Sequence, residues 1–290
     1  MKDRITKERL EHLLRTKWAG RNLFCYEETD STNLRIKQLG NEGAPHGTLA
    51  VAEQQTAGRG RRGRSWESPA GCSIYMSILL RPDIEPDKAP MLTLVAACSV
   101  AEALDRAGVQ LPDAKDVSVP TDDACGKNAG KPRVQIKWPN DIIINGKKLV
   151  GILTEMNLQS GEIGGVTVGI GINVNISAFP DEIKDTATSL CIEYGHPMER
   201  AEIIAAVLER LEVNYEIFMR TKDLTGLMDT YSSMLVNKDR DVLILGAQEQ
   251  YQAHALGITP TGELLVRRED GTVEEVYAGE VSVRGVYGYV

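Results

Sequence analysis

VQIKWPNDIIINGKKLVGILTEMNL, residues 134–158, is the stretch whose reading decides the fold. Val134 to Trp138 reads as an apolar strand, Asn145-Gly146 is a strong two-residue hairpin turn, and Lys148 to Leu158 reads as a further strand. A hairpin cannot belong to a purely parallel sheet, and Val166 to Ile172 adds another strand-like run, so a mixed or antiparallel sheet follows. Upstream, Thr48 to Gln55 and Ser73 to Leu80 read as two strands joined by the glycine–arginine run GRGRRGR, Gly58 to Arg64. Before them, Leu23 to Tyr26 is strand-like. Asp30-Ser31-Thr32-Asn33 then supplies side chains that can cap a helix running to Gly40, which places polar groups and free N–H groups at one helix mouth.

Two longer helices complete this part of the chain. Pro90 to Ala107 is small and apolar, with Gly108 as its expected stop. Glu199 to Phe218 carries Ile203, Ile204, Val207, Leu208, Leu211, Tyr215 and Phe218 on one stripe, the pattern of a helix that covers a sheet. Met1 to Lys17 reads as a short capping helix, and Asp113 to Arg133, polar and without apolar period, as a disordered surface excursion. From Asp239 the pattern changes to short strands at Asp241 to Leu245, Tyr251 to Ile258, Leu264 to Arg268 and Thr272 to Ala278, separated by glycine turns, which is a small β-barrel-like module. The fold class is therefore α+β: a mixed sheet packed by helices in residues 1–236, with the inserted loop 113–133, followed by a small β domain in 237–290.

Composition narrows the function classes. The chain has 290 residues, 42% hydrophobic and 26% charged, ordinary values for a folded globular protein, and a formal net charge of −8. Its N-terminus is charged, without the apolar core of a signal peptide, and no apolar run approaches a membrane span, so a cytoplasmic protein is expected. Cys25, Cys72, Cys98, Cys125 and Cys191 lack CxxC spacing, which points to packing cysteines rather than zinc ligands or disulfides. Against the acidic background, Arg59, Arg61, Arg62 and Arg64 concentrate positive charge in one glycine-rich loop, suited to closing over carboxylate or phosphate. Taken alone, the run reads equally well as a solvated loop or a nuclear-localisation-like patch.

Lys137 ends an otherwise apolar strand, where an ammonium is costly without an anion or an opening to water; a substrate-facing role is preferred to a structural ion pair. Asp141 reads either as a turn-forming residue or as a group that positions a lysine or a metal. Gly169 and Gly171, in GIGIN, read as permitting close strand packing and are weak as a motif.

Taken together and in order, DSTN, EQQTAGRGRRGRSW, KWPNDIIINGKKLVGIL, VGIGINVN, ATSL and the closing GEVSVRG resemble the biotin protein ligases, over Tyr26 to Gly285. The resemblance implies a mixed-sheet catalytic domain related to lipoate ligases, then an SH3-like barrel. It implies that biotin's carboxylate attacks the α-phosphate of MgATP, giving biotinyl-5′-AMP and pyrophosphate, and that a lysine of a biotin carboxyl carrier domain then takes the acyl group. By position in the motifs, Ser31, Thr32, Asn33, Gln55, Arg59, Gly60, Arg61, Lys137 and Gly151 fall to biotin, and Gly58, Arg64, Trp66, Asn140, Asp141, Lys148 and Asn173 to the nucleotide.

Lys137 and Arg61 are the residues this resemblance makes catalytic, Lys137 as fixed charge beside carboxylate and phosphate and Arg61 as the retainer of the adenylate. One such charge pair at ~4 Å and an effective dielectric near ~20 is worth roughly 4 kcal/mol. No metal ligands are assigned; magnesium is expected on the ATP phosphates and water. Rival readings are a lipoate or octanoate ligase or transferase of the same fold, and a non-catalytic biotin-sensing regulator. Many relatives carry an N-terminal DNA-binding module of about sixty residues, whereas about thirty precede DSTN here, so DNA is not an expected partner, nor is a membrane. Dimerisation through a sheet edge is common in the family but is not visible in these residues.

Overall fold

A computed structural model describes residues 3–109, 134–246, 249–279 and 281–285. The 113–133 excursion and Cys125 lie outside them. The elements are α1 (Lys7–Leu13), β1 (Leu23–Thr29), α2 (Thr32–Asn41), β2 (Leu49–Gln55), β3 (Ser73–Leu80), α3 (Met91–Val109), β4 (Val134–Lys137), β5 (Asp141–Ile144), β6 (Lys147–Gln159), β7 (Glu162–Asn173), α4 (Leu190–Tyr194), α5 (Arg200–Thr221) and α6 (Met228–Met234). β8 (Arg240–Leu245), β9 (Gln250–Ile258), β10 (Leu264–Arg267), β11 (Val273–Val276) and β12 (Ser282–Gly285) follow. The first seven strands form one sheet in the order β1-β2-β3-β7-β6-β5-β4, and the last five form a second, β11-β10-β9-β8-β12. β1 and β2 run parallel and the other pairs in the first sheet are antiparallel, so it is mixed; the second sheet is antiparallel throughout.

The hairpin expected at Asn145-Gly146 is present, with Ile144 paired to Lys147 and positive φ at both turn residues (50° and 75°), the twist that matches flanking strands. A second hairpin of the same kind turns at Ser160-Gly161, with φ of 54° and 88°, and lengthens β6 and β7 beyond the apolar runs that marked them. Three expectations are corrected. Trp138 lies in the turn after β4 rather than in the strand. Gly108 does not stop α3, which is described through Val109. β12 was not anticipated: Ser282–Gly285 is short and pairs with β8, from which it is distant in sequence.

The main core lies between one face of the large sheet and α3, over which α5 packs; α1 in turn rests on α5. β3 shows how the sheet divides: Ile74, Met76, Ile78 and Leu80 belong to this core, whereas alternation turns Tyr75, Ser77 and Leu79 to the opposite face. There α2 packs, with Ile36 against Ala50 and Leu79 in a small separate cluster. Register carries Tyr75 to Gly171 and Ser77 to Gly169 on β7, then Gly171 to Gly151 and Gly169 to Leu153 on β6. The α2 face of the sheet is thus floored by glycines beside the helix mouth.

Candidate active site

The helix mouth comes first. Asp30 accepts from the Ser31 N–H at 2.6 Å and pairs with Arg35 at 2.8 Å. The Ser31 side chain sits at the N-cap of α2 but makes no capping bond, a departure from the expected cap. The open first turn is instead satisfied from β2: Gln55 Oε1 accepts from the Thr32 N–H at 2.8 Å and from its hydroxyl at 3.1 Å, while Gln55 Nε2 donates to Ser68 Oγ at 3.0 Å. Ser77 Oγ lies 2.7 Å from Thr32 Oγ1 and 2.6 Å from Asn33 Oδ1. Asn33 Nδ2 donates to Glu155 at 2.8 Å and to the Leu153 carbonyl at 3.3 Å. Ser31, Thr32 and Asn33 are buried, so these hydroxyl and amide groups are held in fixed orientation.

The glycines of β6 and β7 have a specific reason here. A Cβ on Gly169 would stand 2.0 Å from Asn33 Oδ1. One on Gly151 would meet Trp66 Cζ3 at 2.7 Å, and one on Gly171 would meet Trp66 Cε2 at 2.8 Å. The space reserved is therefore for Asn33 and for the indole of Trp66, not for closer strands, which corrects the reading of GIGIN. Trp66 Nε1 is buried without an acceptor among the described residues.

The arginine loop folds down over this floor. Arg59 and Ser65 bridge to each other, and a short 3₁₀ turn spans Arg61–Gly63. Arg59 pairs with Glu155 on β6 at 3.1 Å. Arg61 reaches the other side, donating to Asn140 Oδ1 at 2.8 Å and to the Ala278 carbonyl of the second sheet's domain. Asn140 is held in turn by donating to the Ile152 carbonyl at 3.0 Å. Gly58 sits at the loop stem, where a Cβ would collide with the Trp66 carbonyl at 2.2 Å.

Behind this cleft is a charged cluster. Lys137 is 5% exposed. Burial lowers its pKa to about 8, against the opposing pull of Asp141 and with Lys148, Arg284 and Arg64 adding repulsion. Asp141 pairs with Lys148 at 2.6 Å, and Lys148 Nζ lies 5.4 Å from the Trp66 ring.

One cleft is lined by Ser31, Thr32, Asn33, Gln55, Arg59, Gly60, Arg61, Trp66, Asn140, Lys148 and Gly151, which brings together most of the residues singled out in sequence. The closed loop leaves about 50 Å³ free in it. A second cavity of about 390 Å³ opens on the other side of Trp66, with Lys148 and Asn173 on its wall; Asn173 is fixed by donating to the Thr188 carbonyl at 3.0 Å. Gly58, Arg64, Lys137 and Asp141 line neither cavity. Sequence reading missed Tyr75, Ser77 and Glu155, whose signal was alternation along β3 and β6, and the second cavity's apolar wall of Phe179 and Ile183, a loop with no periodic signal. Among the described residues, no group of three or more His, Cys, Asp or Glu side chains could hold a metal ion, and no helix is long and apolar enough to cross a membrane.

Comparison with known proteins adds to this geometry. Residues 25–173 match the Biotin/lipoate A/B protein ligase family, and residues 239–284 match the Biotin protein ligase C terminal domain. The chain is 36% identical over 283 residues to the bifunctional ligase/repressor BirA of Bacillus spizizenii, covering 97% of this chain and 79% of that one. It is 35% identical over 266 residues to a biotin--[acetyl-CoA-carboxylase] ligase of Paracoccus denitrificans, covering 89% of this chain and 98% of that one. Among solved structures, it resembles the biotin protein ligase from Aquifex aeolicus in complex with biotin and ATP, with a TM-score of 0.73, 32% identity, and coverage of 91% and 99%.

Proposed function

The chain belongs to the Biotin/lipoate A/B protein ligase family and is a biotin protein ligase; on that premise we propose how its own residues carry out the two half-reactions. The observation that carries this reading is the ordering of chemistry along one cleft: buried, neutral polar groups at the α2 mouth, then cations at Arg61 and Lys148, with the buried Lys137 behind them. A neutral ureido ring with a carboxylate tail has that same order of chemistry. A lipoyl or octanoyl chain offers no donors or acceptors to match the buried polar groups of Ser31, Thr32, Asn33 and Ser77, which disfavours it.

In this reading Ser31, Thr32, Asn33 and Gln55 hold the ureido end, with Gly151 leaving room beneath it. Arg59, Gly60 and Arg61 close over the bound acid. The nucleotide occupies the larger cavity beyond Trp66, against Asn173 and Lys148, and Asn140 holds Arg61 beside it. Gly58 and Arg64 serve the nucleotide through the shape and charge of the loop. With few carboxylates to offer, the site would receive magnesium on the ATP phosphates.

Biotin's carboxylate oxygen attacks the α-phosphate and pyrophosphate leaves. Charge accumulates on the phosphoryl oxygens in that transition state, and Lys137, with Lys148, meets it with fixed positive charge in a site of low dielectric. Asp141 pairs with Lys148 and attracts the Lys137 ammonium. The lysine of a biotin carboxyl carrier domain then attacks the acyl carbon, and AMP leaves. We also place the domain division at 236/237 and the protein in the cytoplasm.

Biotin-dependent exchange of labelled pyrophosphate into ATP tests this. The parent should exchange, and Lys137→Ala should lose at least ~100-fold while melting cooperatively, the scale of one preorganised electrostatic contact. Parent-like exchange in that variant would remove Lys137 from the mechanism.

A further inference from the structure

We propose that Glu155 is the catch of the arginine loop, a positioning residue whose carboxylate holds Arg59 down and thereby sets how long the activated acyl-adenylate is retained; this rests on the reading of the cleft given above. Glu155 lies on β6, where alternation from Gly151 and Leu153 turns it to the α2 face. One carboxylate oxygen meets Arg59 at 3.1 Å, and the other accepts from Asn33 Nδ2 at 2.8 Å. A single side chain therefore links the lid to the polar end of the cleft. With the loop down, Arg59, Gly60 and Arg61 line the cleft and about 50 Å³ is free in it. In this proposal the loop lifts to admit and release ligand.

The loop is held on two sides. Arg61 bonds Asn140 and the Ala278 carbonyl on one, and Arg59–Glu155 is the contact on the β6 side. Arg59 is 47% exposed and Glu155 34%, so water and salt reach the pair. Such a contact is weak enough to break on each cycle yet biases the loop toward closure. Glu155 also faces Asn33, so its removal has a second route of action, through biotin affinity, which the experiment must separate.

The measurement is the dissociation half-life of biotinyl-5′-AMP from the full-length protein, for the parent, Glu155→Gln, Arg59→Gln and the double variant, together with tryptic cleavage in the 59–64 loop. The expected results are a several-fold shorter half-life in Glu155→Gln, faster loop cleavage, no further change in the double variant, and a salt-sensitive half-life in the parent but not in Glu155→Gln. A half-life equal to the parent's would overturn the proposal. So would a full additional effect of Glu155→Gln in the Arg59→Gln background, or a raised KM for biotin with unchanged loop cleavage, since either result places the action at Asn33. If the parent itself forms no biotinyl-5′-AMP, the proposed function fails rather than the catch.

Discussion

Lys137 illustrates what a residue costs when it serves a site rather than a core. Its ammonium is buried at the end of β4 with Lys148, Arg284 and Arg64 nearby and Asp141 as the attractive neighbour. Burial and the like charges lower its pKa from 10.5 to about 8, so it is mostly charged at pH 7 and loses that charge as the pH rises through 8. Two outcomes follow. The kcat/KM for adenylation should fall above about pH 8, and Lys137→Arg should lose that limb, because guanidinium stays charged. Bound carboxylate and phosphates would favour the charged form, so the kcat limb should lie at higher pH than the kcat/KM limb. The stability sign is the reverse of the usual lysine pair: a folded pKa below the unfolded one penalises folding below pH 8 and relieves it as pH rises towards 10.5. A flat kcat/KM profile from pH 7 to pH 9.5 would contradict the assignment.

At the scale of elements, two glycine substitutions separate site from scaffold. Gly169→Ala places a Cβ 2.0 Å from Asn33 Oδ1, so the buried amide must shift; it should raise the KM for biotin by ~10-fold or more, the scale of one disturbed polar contact, and lower stability by about 1–3 kcal/mol. Gly146→Ala meets nothing within 4 Å but sits at φ +75° in the β5–β6 turn, so it should lower stability by about 1 kcal/mol and leave the KM alone. Steady-state kinetics and thermal melts on the pair check both; equal effects on KM would count against the floor described here. Strands with strong turn signals or apolar runs, such as β3 and the Asn145-Gly146 hairpin, were legible in sequence nearly to the residue. β5 was too short to be marked as a strand of its own, and β12 is defined by its pairing with β8. The role of Gly151, Gly169 and Gly171 was not legible, because it depends on where a loop 80 or more residues away lays its tryptophan and where α2 presents Asn33.

The whole molecule brings the loop, the large sheet and the C-terminal domain to one place. The indole N–H of Trp138 donates to the Gly262 carbonyl at 2.9 Å, the Leu224 N–H to the Pro260 carbonyl at 2.8 Å, and Arg61 to the Ala278 carbonyl, so the small domain is fixed against the catalytic one beside the lid. Motif order made the two-part organisation readable from the sequence. The contact of lid and small domain was not, since Arg61 and Ala278 are remote along the chain and neither residue type announces the other. The central claim is that this cleft activates biotin and passes it to a carrier lysine. It is tested most directly by incubating the protein with MgATP, an acceptor carrier domain and either biotin or lipoate, then weighing the intact acceptor. The account predicts a gain of one biotinyl group, lost when the acceptor lysine is replaced, and no gain with lipoate; a lipoylated acceptor, or an unmodified one in the presence of biotin, would contradict it.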